Sequence, residues 1–441
     1  MQGITLTLAL IASLLVLTLR KDYALITYIA SLLWYPSYLA ISIGTIDIPV
    51  GRFVVAVLLL RCLCDNGIRS KFVWSRLDTY VALCMLTCVG MALFSFTPPV
   101  SSIVENRGGF LMDTWFAYLV VRLIVTDHER LKTVIKCIGV VLVPLAILGV
   151  MESVTGWQPF APLWRYSPWY REGAAFTSDA RFGFNRAIGP FSHAILFGGG
   201  FAMFLPLVYY LRHEDKGWRS FAYVLSGAAI LGALSSMSSG PWVMTIVAIF
   251  CLVMERHKQW VKPVIVFVVF SCIFVEIASN RSFYHVITSR LNPLSGAGWH
   301  RSELIDVAIK HFDEWWLTGY GDRDPGWGHY FGMVHTDVTN QFILAGVRHG
   351  ILGIIALCAV VIAAFRAVLR TYKRAKDRHL RSLCWSLGAS LTSVVVTWMS
   401  VSFFGQINSL FYCVLGIIGS SVYFVGNERI TLRKVIEKHQ P

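Results

Sequence analysis

Long apolar stretches dominate this sequence and restrict the folds open to it. About thirteen of them approach the roughly 20 residues that cross the hydrocarbon core of a bilayer as a helix, and helices pair their own backbone polar groups there. Only 15% of the residues are charged, whereas soluble globular domains carry about 25%. The sequence therefore predicts an all-α integral membrane protein with about 12–13 transmembrane helices, forming a single polytopic domain over residues 1–441. The apolar stretches cover residues 4–19, 23–43, 50–64, 78–96, 108–125, 131–154, 187–211, 220–234, 240–254, 261–277, 340–369, 383–404 and 407–425.

The basic residues predict how these helices are oriented. The net charge is +14, and 27 of the 39 Lys and Arg residues fall in alternate loops. Loops rich in Lys and Arg stay on the cytoplasmic side of a membrane. Topology thus explains the excess charge, and no nucleic-acid partner is predicted. Two long loops, residues 155–185 and residues 278–339, are predicted to face the other side.

The first long loop alternates aromatic residues with arginines and ends next to Arg186. Interfacial anchoring accounts for most of these side chains, because aromatic rings and arginines both favour the headgroup region. Arg186 lies at the mouth of the following span. A guanidinium there faces either lipid phosphate or a bound anionic substrate.

The large loop contains a segment with helical periodicity near residues 302–312. Leu304, Ala308 and Phe312 share one face, while Arg301 and Lys310 point away from it. This pattern predicts an amphipathic helix lying at the membrane surface.

A glycine-rich turn follows between Gly319 and Gly332. It lacks the Lys-Ser/Thr of a phosphate-binding loop, which leaves a flexible loop or a close approach of the backbone to a ligand. Asp322 and Asp324 have the spacing of a metal-binding Asp-x-Asp pair, although solvated aspartates are common in turns. We predict that the site uses no metal and no cofactor.

Ionisable residues accumulate where the large loop enters the next span. His335 is followed by Asp337 and Asn340, and the span itself contains Arg348 and His349. Ionisable groups within membrane segments are functional candidates, and the competing interpretation is a structural ion pair.

The order and context of these segments resemble the O-antigen ligase and O-antigen polymerase superfamily of bacterial inner-membrane glycan transferases. The resemblance covers most of the chain. The segments with this similarity are residues 185–193, the serine-rich break at 235–240, Arg301 before its helix, 318–321, and 335–350.

Two positions depart from the family pattern. The family often has Ser-Arg-Gly at the serine-rich break, where this chain has Ser239-Gly240. The family often places a histidine directly before the asparagine of the last motif, but here Thr339 precedes Asn340 and the histidine is His335.

The resemblance implies a GT-C-like helical fold and glycan transfer at the periplasmic face of the bacterial inner membrane. The implied partners are an undecaprenyl-diphosphate-linked glycan as donor, a glycan or lipid A core as acceptor, and membrane lipids. Transfer needs a base for the acceptor hydroxyl and cations for the leaving diphosphate. His335 is the candidate base, with His329 as the second choice. The candidate substrate-binding residues are Arg186, Arg301, Arg348, Asp337 and Asn340.

Three activities remain open for such a protein. It could polymerise O-antigen or exopolysaccharide, or it could ligate a glycan to lipid A core or to protein. The alternative of another class is a transporter that flips lipid-linked glycans, which commonly shows inverted repeats and ionisable residues near the midplane. The concentration of ionisable residues outside the spans favours an enzyme.

Overall fold

A computed structural model describes residues 1–44, 46–95, 100–168, 180–280, 282–290 and 298–438 of the chain. The described chain is almost entirely helical, with a single antiparallel pair of strands, β1 (Ala40–Ile43) and β2 (Ile46–Pro49). Residues 169–179 of the first predicted loop, and residues 281 and 291–297 of the second, lie outside the described residues.

Eight helices precede the first long loop, and local sequence signals explain several of their ends. The helix that starts after Ser75 begins with a reciprocal capping box between Ser75 and Asp78. The eighth helix begins after Asp127, whose side chain accepts from the Arg130 N–H, and ends at Gly156 with φ of 75°. The helices are α1 (Gln2–Thr18), α2 (Lys21–Trp34), α3 (Val50–Cys64), α4 (Asn66–Arg69), α5 (Arg76–Phe94), α6 (Val100–Leu111), α7 (Ala117–Ile124) and α8 (His128–Thr155).

The structure describes ten helices after the first long loop. Before that loop, Met112–Phe116 forms a π-helical turn between α6 and α7. The later helices are α9 (Ala194–Tyr210), α10 (Lys216–Ser235), α11 (Ser239–Met254), α12 (Val261–Ala278), α13 (Phe283–Arg290), α14 (Gly298–Lys310), α15 (Phe312–Trp315), α16 (Gln341–Arg374), α17 (Arg378–Thr397) and α18 (Gln406–Lys438). Short 3₁₀ turns lie at Ala161–Tyr166, Leu211–His213, Lys258–Trp260 and Trp327–Phe331.

Seven helical segments among the described residues are long and apolar enough to cross a membrane, which confirms an all-α membrane protein in outline. The predicted 12–13 spans remain a prediction, because several of the other apolar helices, including α1 and α11, are shorter. The seven segments are Arg76–Phe94, His128–Thr155, Ala194–His213, Lys258–Ala278, Gln341–Arg374, Arg378–Thr397 and Gln406–Phe424.

Three predicted spans differ from the structure at their ends or centres. The stretch 23–43 is helical only to Trp34, because Pro36 disfavours a continuing helix, and its remainder contributes β1. The stretch 383–404 leaves the helix after Thr397. The stretch 340–369 is broken at His349 and Gly350, where the backbone is not helical.

Helix α9 forms the centre of the helical bundle and packs against α10, α11 and α17. Its side chains are buried almost all round, among them Phe197, Phe201 and Phe204. Helix α12 is the opposite case, with no buried residue along its apolar length. A helix that is hydrophobic all round is stable in a protein core or in lipid. Helix α9 lies in the protein core, whereas the exposed apolar surface of α12 suits lipid.

The large loop builds a second, small apolar core together with the first turns of α16. Leu304, Val307 and Ala308 of α14 pack with Trp315 and Trp327, which are 5% and 1% exposed. Helix α14 covers most of the segment predicted to be amphipathic, and its buried face contacts the rest of the loop and the first turns of α16. A position at the membrane surface stays a prediction. Phe312, predicted to lie on the apolar face, is 44% exposed. Arg301, predicted to point away, is only 7% exposed.

The loop is attached to the break in α16 by backbone contacts. The Tyr320 N–H donates to the Val347 carbonyl at 2.6 Å, and the Ile351 N–H donates to the Trp316 carbonyl at 2.7 Å. A side chain at Gly319 would meet the Arg348 carbonyl carbon at 2.6 Å. At Gly319 the close backbone approach is therefore to α16, and an approach of this turn to a ligand stays a prediction.

Candidate functional site

Three arginines converge on the serine-rich break between α10 and α11. Arg186 Nη2 donates to Ser238 Oγ at 2.9 Å, and Arg181 Nη1 donates to the Met237 carbonyl at 3.3 Å. Arg301 Nη2 reaches Ser239 Oγ at 3.4 Å. We call Arg181, Arg186 and Arg301 the arginine cluster. Two of these residues were predicted as substrate ligands, and the fold brings them together.

Positive charge in this cluster is only partly balanced. Neither Arg181 nor Arg301 forms an ion pair with any residue that the structure describes. Arg301 Nη1 is buried and has no hydrogen-bond partner there. Burial lowers the pKa of Arg301, the Arg181 charge lowers it further, and the Asp337 carboxylate opposes both effects. A buried guanidinium that lacks a carboxylate partner favours an incoming anion.

The backbone that carries this cluster is held in an uncommon conformation. Met237 has φ of 43°, a left-handed value that non-glycine residues seldom adopt. The N-terminus of α11 begins directly afterwards at Ser239. Its unpaired N–H groups add positive potential beside the guanidinium groups. Strained residues of this kind concentrate at ligand sites.

Glu152 of α8 positions the segment that follows Arg186. One carboxylate oxygen accepts from the Ile188 N–H at 2.8 Å and from the Gly189 N–H at 2.9 Å. Glu152 is 1% exposed, so water does not replace these bonds. The entry to α9, and with it Arg186, is thereby fixed relative to α8.

We expect Glu152→Ala to lower the free energy of unfolding by about 3 kcal/mol, since hydrogen bonds to a charged group contribute about 1.5–3 kcal/mol. Thermal unfolding in detergent measures the change. Glu152→Gln is the matched control, because its amide oxygen still accepts both N–H groups, and it should lose less than half as much. Equal losses in the two variants would contradict the positioning role.

His193, which was not among the predicted site residues, lies at the edge of the arginine cluster: burial lowers its pKa to about 4, and the charges of Arg186 and Arg181 contribute to the decrease. Its Nδ1 accepts from the Ile195 N–H at 3.1 Å and caps α9. When the imidazole is neutral, the proton is therefore on Nε2. His193 ends the segment 185–193 that resembles the family, but its position next to the arginines depends on how distant segments pack.

His335, the predicted base, is 74% exposed and lies apart from the arginines in the hydrogen-bond network. Its Nδ1 is 3.6 Å from Asp324 Oδ2. Asp324 also accepts from the Thr336 N–H at 2.9 Å. Burial raises the pKa of Asp324, but hydrogen bonds from Thr336 and Gly326 outweigh it, so the net pKa is lowered. When the imidazole is neutral and carries its proton on Nδ1, facing this carboxylate, Nε2 is the ring nitrogen that can accept a proton.

Asp337 and Asn340 differ in their availability to a ligand. Asp337 is exposed and close enough to influence Arg301. Asn340 is 4% exposed and caps α16, accepting from the Phe342 N–H at 2.9 Å while its Nδ2 donates to the Met399 carbonyl at 3.0 Å. The proposed substrate-binding role of Asn340 therefore competes with a structural one.

The Asp-x-Asp pair does not converge on one point. Asp322 pairs with Arg107 and lies 3.4 Å from Asn106 Nδ2, whereas Asp324 contacts Thr336. Among the described residues, no group of three His, Cys, Asp or Glu side chains has the arrangement of a metal site.

Arg348, the third predicted arginine, lines a separate cavity of about 230 Å³. We call this the Arg348 cavity. It lies between the middle of α5, the C-terminal half of α6 and the N-terminal half of α16, beside α3 and α18. Polar side chains in its wall also include Arg52, Arg107, Asp113, Asp322, Gln341, His349 and Asn408. Arg348 lies within the apolar stretch 340–369, yet its side chain is exposed to this cavity.

No family model matches the chain, and no curated protein is significantly similar to it.

Proposed function

We propose that this protein transfers glycans from a polyprenyl diphosphate donor at the periplasmic face of the bacterial inner membrane. The observation that supports this most directly is the arginine cluster, in which Arg301 is buried without an ion pair. Such a site suits a diphosphate, because guanidinium groups bind phosphate oxygens bidentately and keep their charge. The seven apolar helices are consistent with a lipid-linked substrate.

The proposed reaction assigns one task to each part of the site. An acceptor hydroxyl attacks the anomeric carbon of the donor sugar, and the bond from that carbon to the diphosphate oxygen breaks. The hydroxyl proton passes to Nε2 of His335, which Asp324 orients through Nδ1. The electron pair leaves with the diphosphate, whose growing charge is stabilised by Arg186 and Arg301. In this proposal arginines supply the positive charge that a metal provides elsewhere.

Purified protein in nanodiscs, supplied with polyprenyl-diphosphate-linked oligosaccharide and EDTA, tests the activity. We expect the glycan to lengthen, as for an O-antigen or exopolysaccharide polymerase. A single transfer that requires added lipid A core would instead identify a ligase. No transfer under either condition, even after Mg²⁺ or Mn²⁺ is restored, would contradict the proposal and favour the flippase.

The proposed role of His335 as the general base can be tested by mutation. His335→Ala should lower kcat about 10²–10⁴-fold, the usual contribution of a general base, with little change in thermal stability because the side chain is exposed. His329→Ala is the comparison, since His329 is also exposed and its Nδ1 contacts the Gly326 carbonyl at 2.8 Å. The reverse result, with His329→Ala inactive and His335→Ala active, would reassign the base.

A further inference from the structure

The Arg348 cavity has a net positive charge once its ion pairs are counted. Arg52 Nη2 is 2.7 Å from Asp113 Oδ2, and Arg107 pairs with Asp322. Each of these arginines is therefore matched by one carboxylate. Arg348 makes neither a hydrogen bond nor an ion pair with the part of the chain that the structure describes. Among the described residues, Arg348 thus has no carboxylate of its own, since Asp322, which attracts it, is the ion-pair partner of Arg107.

Two buried polar atoms in the same wall also lack partners. Arg107 Nε and His349 Nδ1 have no hydrogen-bond partner among the described residues, although their side chains belong to residues only 7% and 5% exposed. Buried polar groups in native proteins are nearly always hydrogen-bonded, and exceptions mark a missing water, ion or ligand. The charge of Arg348 points to an anionic ligand, and Arg107 Nε is an unsatisfied donor on a residue of the same wall. His349 Nδ1 donates or accepts according to the tautomer of its ring.

Several features hold these groups in place before any ligand enters. A side chain at Gly109 would meet Arg52 Cζ at 2.7 Å, so the guanidinium lies directly over this glycine. Asp113, its ion-pair partner, belongs to the π-helical turn, a feature frequently found at functional sites. The break at His349 and Gly350 redirects α16 beside the cavity. The site is thus preorganised.

We propose that the Arg348 cavity binds the diphosphate of a second lipid-linked glycan, which serves as the acceptor. This inference rests on the proposed function. Phe404 lines the cavity and its ring centroid is 6.4 Å from that of His193, at the edge of the arginine cluster. The two cationic sites are therefore neighbours separated by an aromatic side chain. A polymerase that joins two lipid-linked glycans needs two diphosphates on one face of the membrane, which this arrangement provides.

Equilibrium binding of inorganic pyrophosphate and of farnesyl diphosphate to the full chain in nanodiscs of zwitterionic lipid tests the inference. We expect two sites per wild-type chain for both probes. Arg348→Gln should weaken one of them about tenfold or more, because it removes charge-assisted hydrogen bonds, and Arg348→Lys should have an intermediate effect. Arg366→Gln is the matched control, since this exposed arginine lies further along the same helix, and it should retain both sites.

Three results would distinguish a failure of the proposed function from a failure of the second diphosphate site. A single site that Arg301→Gln removes and Arg348→Gln leaves unchanged would overturn the second site and keep the donor site. A chain that binds two pyrophosphates but transfers no glycan would contradict the proposed function alone. Binding of pyrophosphate without farnesyl diphosphate at the Arg348 site would overturn the assignment to a lipid-linked acceptor.

Steady-state kinetics of glycan transfer test the acceptor site independently of equilibrium binding. With a fluorescent lipid-linked acceptor, Arg348→Gln should raise the KM for the acceptor about tenfold while the KM for the donor changes less than about twofold. A merely structural role for Arg348 would affect kcat and both KM values together, which would count against the inference. Gly109→Ala, which displaces Arg52, should act in the same direction as Arg348→Gln. Gly108→Ala is its control, because a side chain there meets no atom within 4 Å.

Discussion

Replacing Arg301 with alanine should reduce glycan transfer about 10²–10³-fold, the usual effect of removing one donor to the charge that develops in a transition state. Arg301 is the most buried member of the arginine cluster, and neither its Nη1 nor its charge has a partner among the described residues. The truncation therefore removes charge from the proposed diphosphate site and leaves no described carboxylate unpaired. Initial rates at saturating donor, with Tm measured in parallel, check this expectation.

Lys310→Ala is the matched control for that experiment. Lys310 lies on the same helix, carries the same charge, and is exposed, so its loss should change the rate less than about twofold. Arg301→Lys should recover part of the activity, because an ammonium keeps the charge but cannot bind two phosphate oxygens in a fixed fork. Full activity of Arg301→Ala with unchanged donor affinity would refute the diphosphate site.

Gly350→Ala should disrupt the attachment of the large loop to α16. Gly350 has φ of 69° and ψ of −171°, a region open in practice only to glycine. A side chain there would also collide with the Leu317 carbonyl group. Backbone strain of about 1–2 kcal/mol and overpacking of about 1–3 kcal/mol together predict a loss of about 3 kcal/mol. Limited proteolysis of the loop and Tm in detergent measure it, and activity should fall with them.

Gly326→Ala separates the two causes. Gly326 also has a positive φ, 78°, but a side chain there would meet no atom within 4 Å. It should cost about 1 kcal/mol from left-handed strain alone and leave the loop protected from protease. If Gly326→Ala were as damaging as Gly350→Ala, the close contact with Leu317 would not be what holds the loop.

The arginine cluster and the Arg348 cavity are built on different elements, so ligand binding at each site can be followed separately. The arginine cluster lies on the α10–α11 break, and the Arg348 cavity lies at the N-terminal half of α16. The loop residues Tyr320 and Trp316 hold the α16 break in place. Loosening this attachment is therefore expected to affect the Arg348 cavity more than the arginine cluster, and the two binding sites can report the change separately.

Hydropathy alone located most of the helices, because a bilayer requires long apolar segments with internally paired backbones. It failed where local backbone chemistry intervened. Pro36 ends α2 before the apolar stretch ends, and Gly350 breaks α16 within one. Periodicity also found α14 but misjudged Arg301, since it assumed that the apolar face meets lipid. In the structure that face meets Trp315 and Trp327 of the same loop.

The sequence by itself determined the class of protein, the long apolar helices and the residue types available for an anionic substrate. Only the tertiary structure decided which arginines act together. Arg186 and Arg301 are 115 residues apart in the chain and meet at one serine-rich break, while Arg348 turns to a different cavity with Arg107. Such groupings depend on how helices pack across long separations, which hydropathy and local spacing do not encode.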